Sequence, residues 1–273
     1  MEAPRGSVLK SVDGMPFPAY PRGIDLAKEA RTARRRFYPV TVLYTAYALL
    51  IVPRALLRCA WQALTFVALG VAFWTWLEYV VHRFVLHGRF PDGPGRVQHA
   101  LHRFFDTMHG DHHRRPWDGM YINGFLDSLP FAVLLGALSH LAPLPTAPVT
   151  IATMLLCYVI EEWVHYSVHF HVIHSRYFDY IRRHHQYHHS PRGTDIAFGL
   201  SSGTWDAMLS TRIPATDRRR LYGRAPSGAR GTAAQPRAGR PCASHSASRW
   251  EWCASLSGRR TSDGNNQRSR LGA

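Results

Sequence analysis

Cysteine and lysine are scarce in this chain. Its 273 residues hold four cysteines (Cys59, Cys157, Cys242 and Cys253), widely spaced and without a paired motif. That spacing excludes a disulfide framework and a thiolate metal site. Lysine occurs only at Lys10 and Lys28, so arginine carries nearly all of the positive charge. Acids are few as well: 18 Asp and Glu stand against 33 Lys and Arg, for a formal net charge of +15. An excess of that size raises nucleic acid as a partner. The arginines, however, gather at the flanks of apolar segments and near the C-terminal end, with no basic stripe interleaved with aromatics. No nucleic-acid partner is expected. The first 36 residues are polar and basic without a short apolar core, so no secretory signal is expected and any membrane segment is permanent.

What the chain does have is long apolar runs. Hydrophobic residues make up 46% of it, yet the mean hydropathy is −0.20, because the apolar residues are concentrated in a few segments. Residues 37–52 form one run, which Pro53 and Arg54 are expected to stop. Residues 61–81 form a second, long enough to cross a bilayer. Residues 124–144 and 147–170 are two more, read as a helical hairpin around Pro143-Leu144-Pro145. The expected fold is an all-α membrane protein, with about four transmembrane helices and a cytosolic helical cap.

Three parts follow from this reading. Residues 1–36 are a basic lead-in, residues 37–213 the membrane domain, and residues 214–273 a tail with twelve arginines against three acids and no apolar periodicity. Such a composition is that of a disordered segment. Arginines crowd the stretch before the first run and those after the second and fourth. By the positive-inside rule, the chain is an integral, multi-pass membrane protein with both termini and the polar segments on the cytoplasmic side.

Those polar segments carry the chemistry. Ten of the 17 histidines fall into four clusters: His82 with His87; His109, His112 and His113; His165 with His169; and His185, His188 and His189. Positions three and four apart share a helix face, so each triplet makes a claw of nitrogens on one side of a turn. His165 and His169 share a face in the same way, whereas His82 and His87 are about 140° apart on an ideal helix, so a kink or a helix end is expected between them. Ten imidazoles exceed one zinc sphere but fit two metals, and imidazole suits Zn, Cu, Fe and Ni alike. His99, His140 and His245 read as isolated residues. His102, His171, His174 and His184 are ambiguous. The bland alternative is a non-catalytic membrane metal-binding protein, which the position of the clusters at span ends disfavours.

Acids spaced at a helical turn from the histidines are candidates to orient them. Glu78 is four before His82, Glu161 four before His165 and Glu162 three before it. A carboxylate so placed accepts the second ring N–H of a liganding histidine. Trp74, Trp76, Trp163 and Tyr166 are candidates to line a lipid slot.

In order, Glu78-Tyr79 with His82 and His87, His109-x2-His112-His113, His165-x3-His169 and His184-His185-x2-His188-His189 resemble the fatty acid hydroxylase/sterol desaturase superfamily, most closely its fatty acid 2-hydroxylases. Phe198-Gly199 and Thr204-Trp205-Asp206 extend the resemblance, which covers about residues 74–212. It implies that all ten clustered histidines are ligands of two iron ions, with zinc a substitute in isolated protein. It further implies O2-dependent hydroxylation of a lipid C–H bond, at the 2-position of a fatty acyl chain. Carotenoid or sterol hydroxylation or desaturation on the same metal cage is the alternative. Eukaryotic 2-hydroxylases carry an N-terminal haem domain for which this chain has no room, so a separate electron-transfer protein is expected as partner.

Overall fold

The computed structural model describes residue 21 and residues 23–121, 125–144 and 146–223. The disorder expected of residues 224–273 lies outside the described residues. Nine α-helices occur among those described, and no strand: α1 Leu26–Arg58, α2 Ala60–Val80, α3 Arg96–Leu101, α4 Met108–Arg114, α5 Phe125–Leu141, α6 Ala147–Phe170, α7 Arg176–His188, α8 Thr204–Met208 and α9 Ala215–Tyr222. Two π-helical turns, Val81–Leu86 and His102–Thr107, run into α2 and α4 respectively.

Three helical stretches are long and apolar enough to cross a membrane: Leu26–Arg58, Ala60–Leu86 and Ala147–Phe170. The chain is an integral membrane protein. A fourth full span is not found among the described residues, because α5 has only 17 residues. At 1.5 Å per residue it reaches about 26 Å, short of a ~30 Å hydrocarbon layer. It still runs alongside α1 in the same direction: Arg36 pairs with Asp127 at 3.5 Å, Tyr44 bonds Ser128 at 3.0 Å and Tyr47 bonds His140 at 3.1 Å. The outer faces are apolar, with Val42, Leu49, Leu64 and Val133 all exposed. Helices apolar on all sides belong in lipid.

Two expected boundaries move. The first helix begins at Leu26, not near residue 37, and the Asp25 carboxylate caps it by accepting from the Lys28 N–H at 3.1 Å. The arginines that made residues 26–36 look like a lead-in lie on one face, while Ala30 and Ala33 bury against Tyr166 on the other. Nor does Pro53 stop the helix, which continues to Arg58. Proline costs one backbone bond and a kink there, which a membrane helix tolerates. At the other end, α9 belongs to the ordered fold: Leu221 is buried in a cluster with Tyr187, Ala197 and Ile213. The first residues of the stretch assigned to the tail are therefore part of the domain.

The long helix α6 is the one the others pack around. Phe37, Val40 and Tyr44 of α1 bury against Val159, and Trp163 stands edge-on to Phe37 at 5.5 Å while donating to Thr41 at 3.0 Å. On its other side α2 crosses closely at Gly70. A Cβ there would stand 2.8 Å from Thr153 Cβ and 2.9 Å from the Thr150 carbonyl oxygen. Small residues permit such backbone approach between membrane helices. Gly136 in α5 faces nothing within 4 Å. Gly70→Val is therefore expected to destabilise the purified protein by about 1–3 kcal/mol through overpacking, and Gly136→Ala not at all. Thermal melting in detergent checks this, and equal melting of the two variants contradicts the close crossing.

Candidate metal centre

All ten clustered histidines meet at one end of the helices, and they sort into two groups of five. His82, His87, His109, His113 and His188 form the first; His112, His165, His169, His185 and His189 form the second. Within each group one nitrogen per residue lies within 4.8 Å of all the others. Neither claw stays whole on one side of its turn. Each is divided between both groups.

Helix geometry explains the division. On a helix, residues four apart are rotated by about 40° and the third residue by about 60° the other way. His109 and His113 accordingly serve the first group and His112 the second; His185 and His189 serve the second and His188 the first. His165 and His169, also four apart, stay together. His82 and His87, five apart, are united by the π-helical turn, in which the His87 N–H donates to the His82 carbonyl at 3.1 Å. A π-turn brings positions five apart into register, which closes the gap an α-helix leaves. The two groups adjoin: His113 stacks on His189 at 4.3 Å.

Neighbouring ring nitrogens approach to about van der Waals contact or less: His87 Nε2 is 3.0 Å from both His188 Nε2 and His109 Nε2, and His169 Nε2 is 3.1 Å from His165 Nε2 and 2.8 Å from His185 Nε2. A metal–nitrogen bond of about 2.0–2.1 Å, with ligands at right angles, sets nitrogens about 3.0 Å apart. The donor set therefore fits one metal ion in each group. Protonation is disfavoured as well. Burial pushes His87 down to about 4 and His188 down to about 3, and it holds His109, His112, His113, His185 and His189 well below the ordinary histidine range. Neutral imidazoles keep the lone pair that a metal needs.

A loop from α7 to α8 orients the first group. The ring N–H at Nδ1 of His82 donates to the Phe198 carbonyl and that of His188 to the Ile196 carbonyl at 2.8 Å, which leaves Nε2 of each free for a metal. Between these two carbonyls sits Ala197 at φ +61°, a left-handed conformation that costs a non-glycine residue about 1–2 kcal/mol. Its N–H donates to the Thr211 carbonyl at 2.8 Å, which holds the turn. Asp206, fully buried, accepts from the Phe198 N–H (2.9 Å), the Gly199 N–H (3.0 Å), Thr211 Oγ1 (2.7 Å) and His184 Nε2 (3.1 Å). Burial alone would raise this carboxyl, yet His184, Thr211 and Gly199 together hold it below its usual range.

The acids do not all act as expected. Glu78 does not hold His82; it accepts from the N–H groups of Leu200 and Ser201, both at 2.6 Å, and from Ser201 Oγ at 2.5 Å. Glu161 accepts from Trp74 Nε1 at 2.8 Å rather than from His165. Glu162 is the acid that faces a clustered histidine, with Oε2 3.6 Å from His165 Nδ1. The remaining described histidines lie outside both groups: His184 on Asp206, His102 on the Phe90 carbonyl, His171 on Tyr166, His99 on Asp92 and His140 on Tyr47, with His174 exposed; His245 lies outside the described residues.

A cavity of about 130 Å³ opens beside the histidines and is lined by His82, His109, His112, His165 and His185, together with Trp74, Tyr158, Leu86 and Leu200. Of the four aromatics proposed for a slot, only Trp74 lines it. Trp163 packs on α1, Tyr166 is buried against Ala30 and Ala33, and Trp76 is exposed. Tyr158 and the loop carbonyls were missed. Tyr158 lies two turns before Trp163–His165 on α6, in the middle of an apolar run with no spacing to single it out. The Phe198-Gly199 and Trp205-Asp206 motifs marked the loop without showing that its backbone is what contacts histidine.

Residues 66–211 match a family model described as fatty acid hydroxylase. A fatty acid 2-hydroxylase of Mus musculus is 34% identical over 148 residues, which cover 54% of this chain and 39% of that protein. The dihydroceramide fatty acyl 2-hydroxylase FAH2 of Arabidopsis thaliana is 33% identical, with 53% and 59% covered. A solved structure, full-length scs7p with only the hydroxylase domain visible, matches with TM-score 0.48 and 24% identity over 72% of each chain. The chain spans less than two thirds of the length of the curated relatives it matches.

His112 and His113 are adjacent in sequence but serve different groups. His112→Ala and His113→Ala are each expected to weaken one metal position and spare the other. After exhaustive chelator dialysis, elemental analysis should find about one metal per chain in each variant against two in wild type. Loss of both metals from either variant, or of none, contradicts the sorting.

Proposed function

Because this chain belongs to the fatty acid hydroxylase family, we propose that it is a membrane-bound, O2-dependent di-iron hydroxylase acting at the 2-position of a fatty acyl chain. The observation that carries this reading is the pair of five-histidine groups opening on a cavity between membrane-crossing helices. Relatives named as fatty acid 2-hydroxylases and dihydroceramide fatty acyl 2-hydroxylases support the substrate class and the position.

The overall reaction inserts one oxygen atom into a C–H bond and reduces the other to water, consuming two electrons and two protons. Iron rather than zinc is the metal this reaction requires, since zinc has no redox chemistry. Two bound irons would supply the electron transfer to O2 and the oxidising power that no side chain provides. Five imidazoles would hold each iron: His82, His87, His109, His113 and His188 one, and His112, His165, His169, His185 and His189 the other. The carbonyls of Ile196 and Phe198 fix which ring nitrogen of His188 and His82 points inward. Glu162, with Oε2 3.6 Å from His165 Nδ1, is the acid placed beside His165.

The cavity does the positioning. Trp74, Tyr158, Leu86 and Leu200 give it an apolar wall, opposite the histidines and beside the carboxylates of Glu78, Asp127, Glu161 and Glu162, and an acyl chain entering from the lipid would lie along that wall. The small volume admits the carbons near the reacting one and shuts out bulk water, which protects a strong oxidant from side reactions. Electrons come from a separate electron-transfer protein. The histidine groups and both termini face the cytoplasm, a reading supported by the arginine distribution.

Lipid from cells expressing wild type or His112→Ala, hydrolysed and analysed by mass spectrometry, tests the reaction. 2-Hydroxy fatty acids are expected with wild type and only at background with the variant. Equal amounts from both, or none from folded, iron-loaded wild type, would overturn the assignment.

A further inference from the structure

A second cavity, of about 340 Å³, lies at the other end of the helices, where α1 turns into α2 and α5 approaches α6. Its polar lining consists of Arg54, Arg58, Gln62, His140 and Thr146, all capable of donating hydrogen bonds. It contains no acid. None is near in sequence either, since no Asp or Glu occurs between residues 30 and 77 or between residues 128 and 160. Arg54 and Arg58 are four apart, on one helix face, and make no ion pair among the described residues.

Two further features add positive potential. The N-terminal ends of α2 and α6 both border the cavity, and neither N-cap residue, Cys59 or Thr146, supplies a side-chain cap. Helix N-termini favour anions. The position along the bundle matters too. On α2, Gln62 and His82 are about 30 Å apart at 1.5 Å per residue, which is the thickness of a hydrocarbon layer. The cavity thus sits at the membrane–water interface opposite the metal centre. Arginine is under-represented there by the positive-inside rule, and Arg54 and Arg58, both exposed and without an ion pair among the described residues, are open to a partner of opposite charge.

We infer that this cavity binds the phosphate of an anionic phospholipid head group, with Arg54 and Arg58 as its principal cations. A phosphodiester takes charge-assisted hydrogen bonds from guanidinium groups. Gln62, His140 and Thr146 are placed to donate to the remaining head-group oxygens. The lipid's acyl chains would lie against the exposed apolar faces of α1 and α2, which include Leu57 and Trp61 next to the cavity. Free phosphate offers the same charge without those chains, and a lipid bound this way is not the reacting substrate. The inference rests on the membrane orientation proposed above and is independent of the reaction assigned to the other end.

Native mass spectrometry tests it. The full-length protein is reconstituted with equal phosphatidylglycerol and phosphatidylcholine and released with its retained lipid, as wild type and as Arg54→Gln/Arg58→Gln. Wild type is expected to retain phosphatidylglycerol preferentially, and the double variant to lose that preference by about tenfold or more, as expected for the loss of charge-assisted bonds. Inorganic phosphate at millimolar concentration should not displace the lipid. Wild-type metal content in the variant certifies its fold, and Arg58→Gln alone makes the same comparison should the double variant misfold. Equal retention of both lipids by wild type overturns the inference, as does unchanged retention in the folded variant. Displacement by inorganic phosphate overturns the lipid as the source of the anion.

Discussion

Ten neutral imidazoles aim their lone pairs into two small volumes, and the rest of the structure depends on making that arrangement tolerable. Lone pairs about 3 Å apart repel, and burial removes the water that would otherwise satisfy them. Protonation would relieve a single such nitrogen but not five together. A metal ion held in each group would resolve the conflict by accepting all five lone pairs at once, and its binding energy would then become folding energy at this end of the molecule. The protein's task is to bring the nitrogens together before the metal arrives.

It does so with elements from very different parts of the chain. α6 supplies two nitrogens and serves as the pillar against which α1, α2 and α5 pack. α2 delivers two more by changing from an α-helix to a π-helical turn at Val81–Leu86. α4 and α7 contribute one triplet each and so stitch the two metal positions together. The loop after α7 then presses two carbonyls, strained apart by Ala197, onto His82 and His188. Glu78 and Asp206 tie that loop down from either side, using N–H groups of Phe198, Gly199, Leu200 and Ser201. The same loop thus ties the end of α2 at Glu78 and His82 to α7 at His188 and to α8 at Asp206. Such a fully bonded polar network is stiff, and stiffness is what a reaction centre of fixed geometry requires.

The clustering of the ten histidines was legible because spacing on a helix is written directly in sequence. His165 and His169, or His109 and His113, could be paired by counting. How the triplets divide was legible only in part: the angles were available, but which neighbour each side chain would meet depends on helices far apart in sequence. His82 and His87 posed the opposite problem. Their spacing disagreed with an α-helix, and the disagreement pointed to the π-turn that was found. Glu78 was misread because a helical offset of four made His82 its natural partner, whereas the groups it binds come from 122 residues away. Long-range backbone contacts leave no periodic trace. The start of α1 was hidden by arginines whose alternation with Ala30 and Ala33 marks a helix face only once Tyr166 is there to cover it. Helix α5 was apolar enough to be taken as a full span, but hydropathy alone does not fix a helix's length, and 17 residues of it are described.

The proposed reaction depends on five imidazoles around each of two irons. X-ray absorption at the iron edge of the reconstituted protein, with iron quantified on the same sample, tests it most directly. Two irons per chain are predicted, each with about five imidazole nitrogens near 2.1 Å, a distance characteristic of metal–imidazole bonds. A single iron per chain, a sulfur-containing shell or a shell made mainly of oxygen would contradict it.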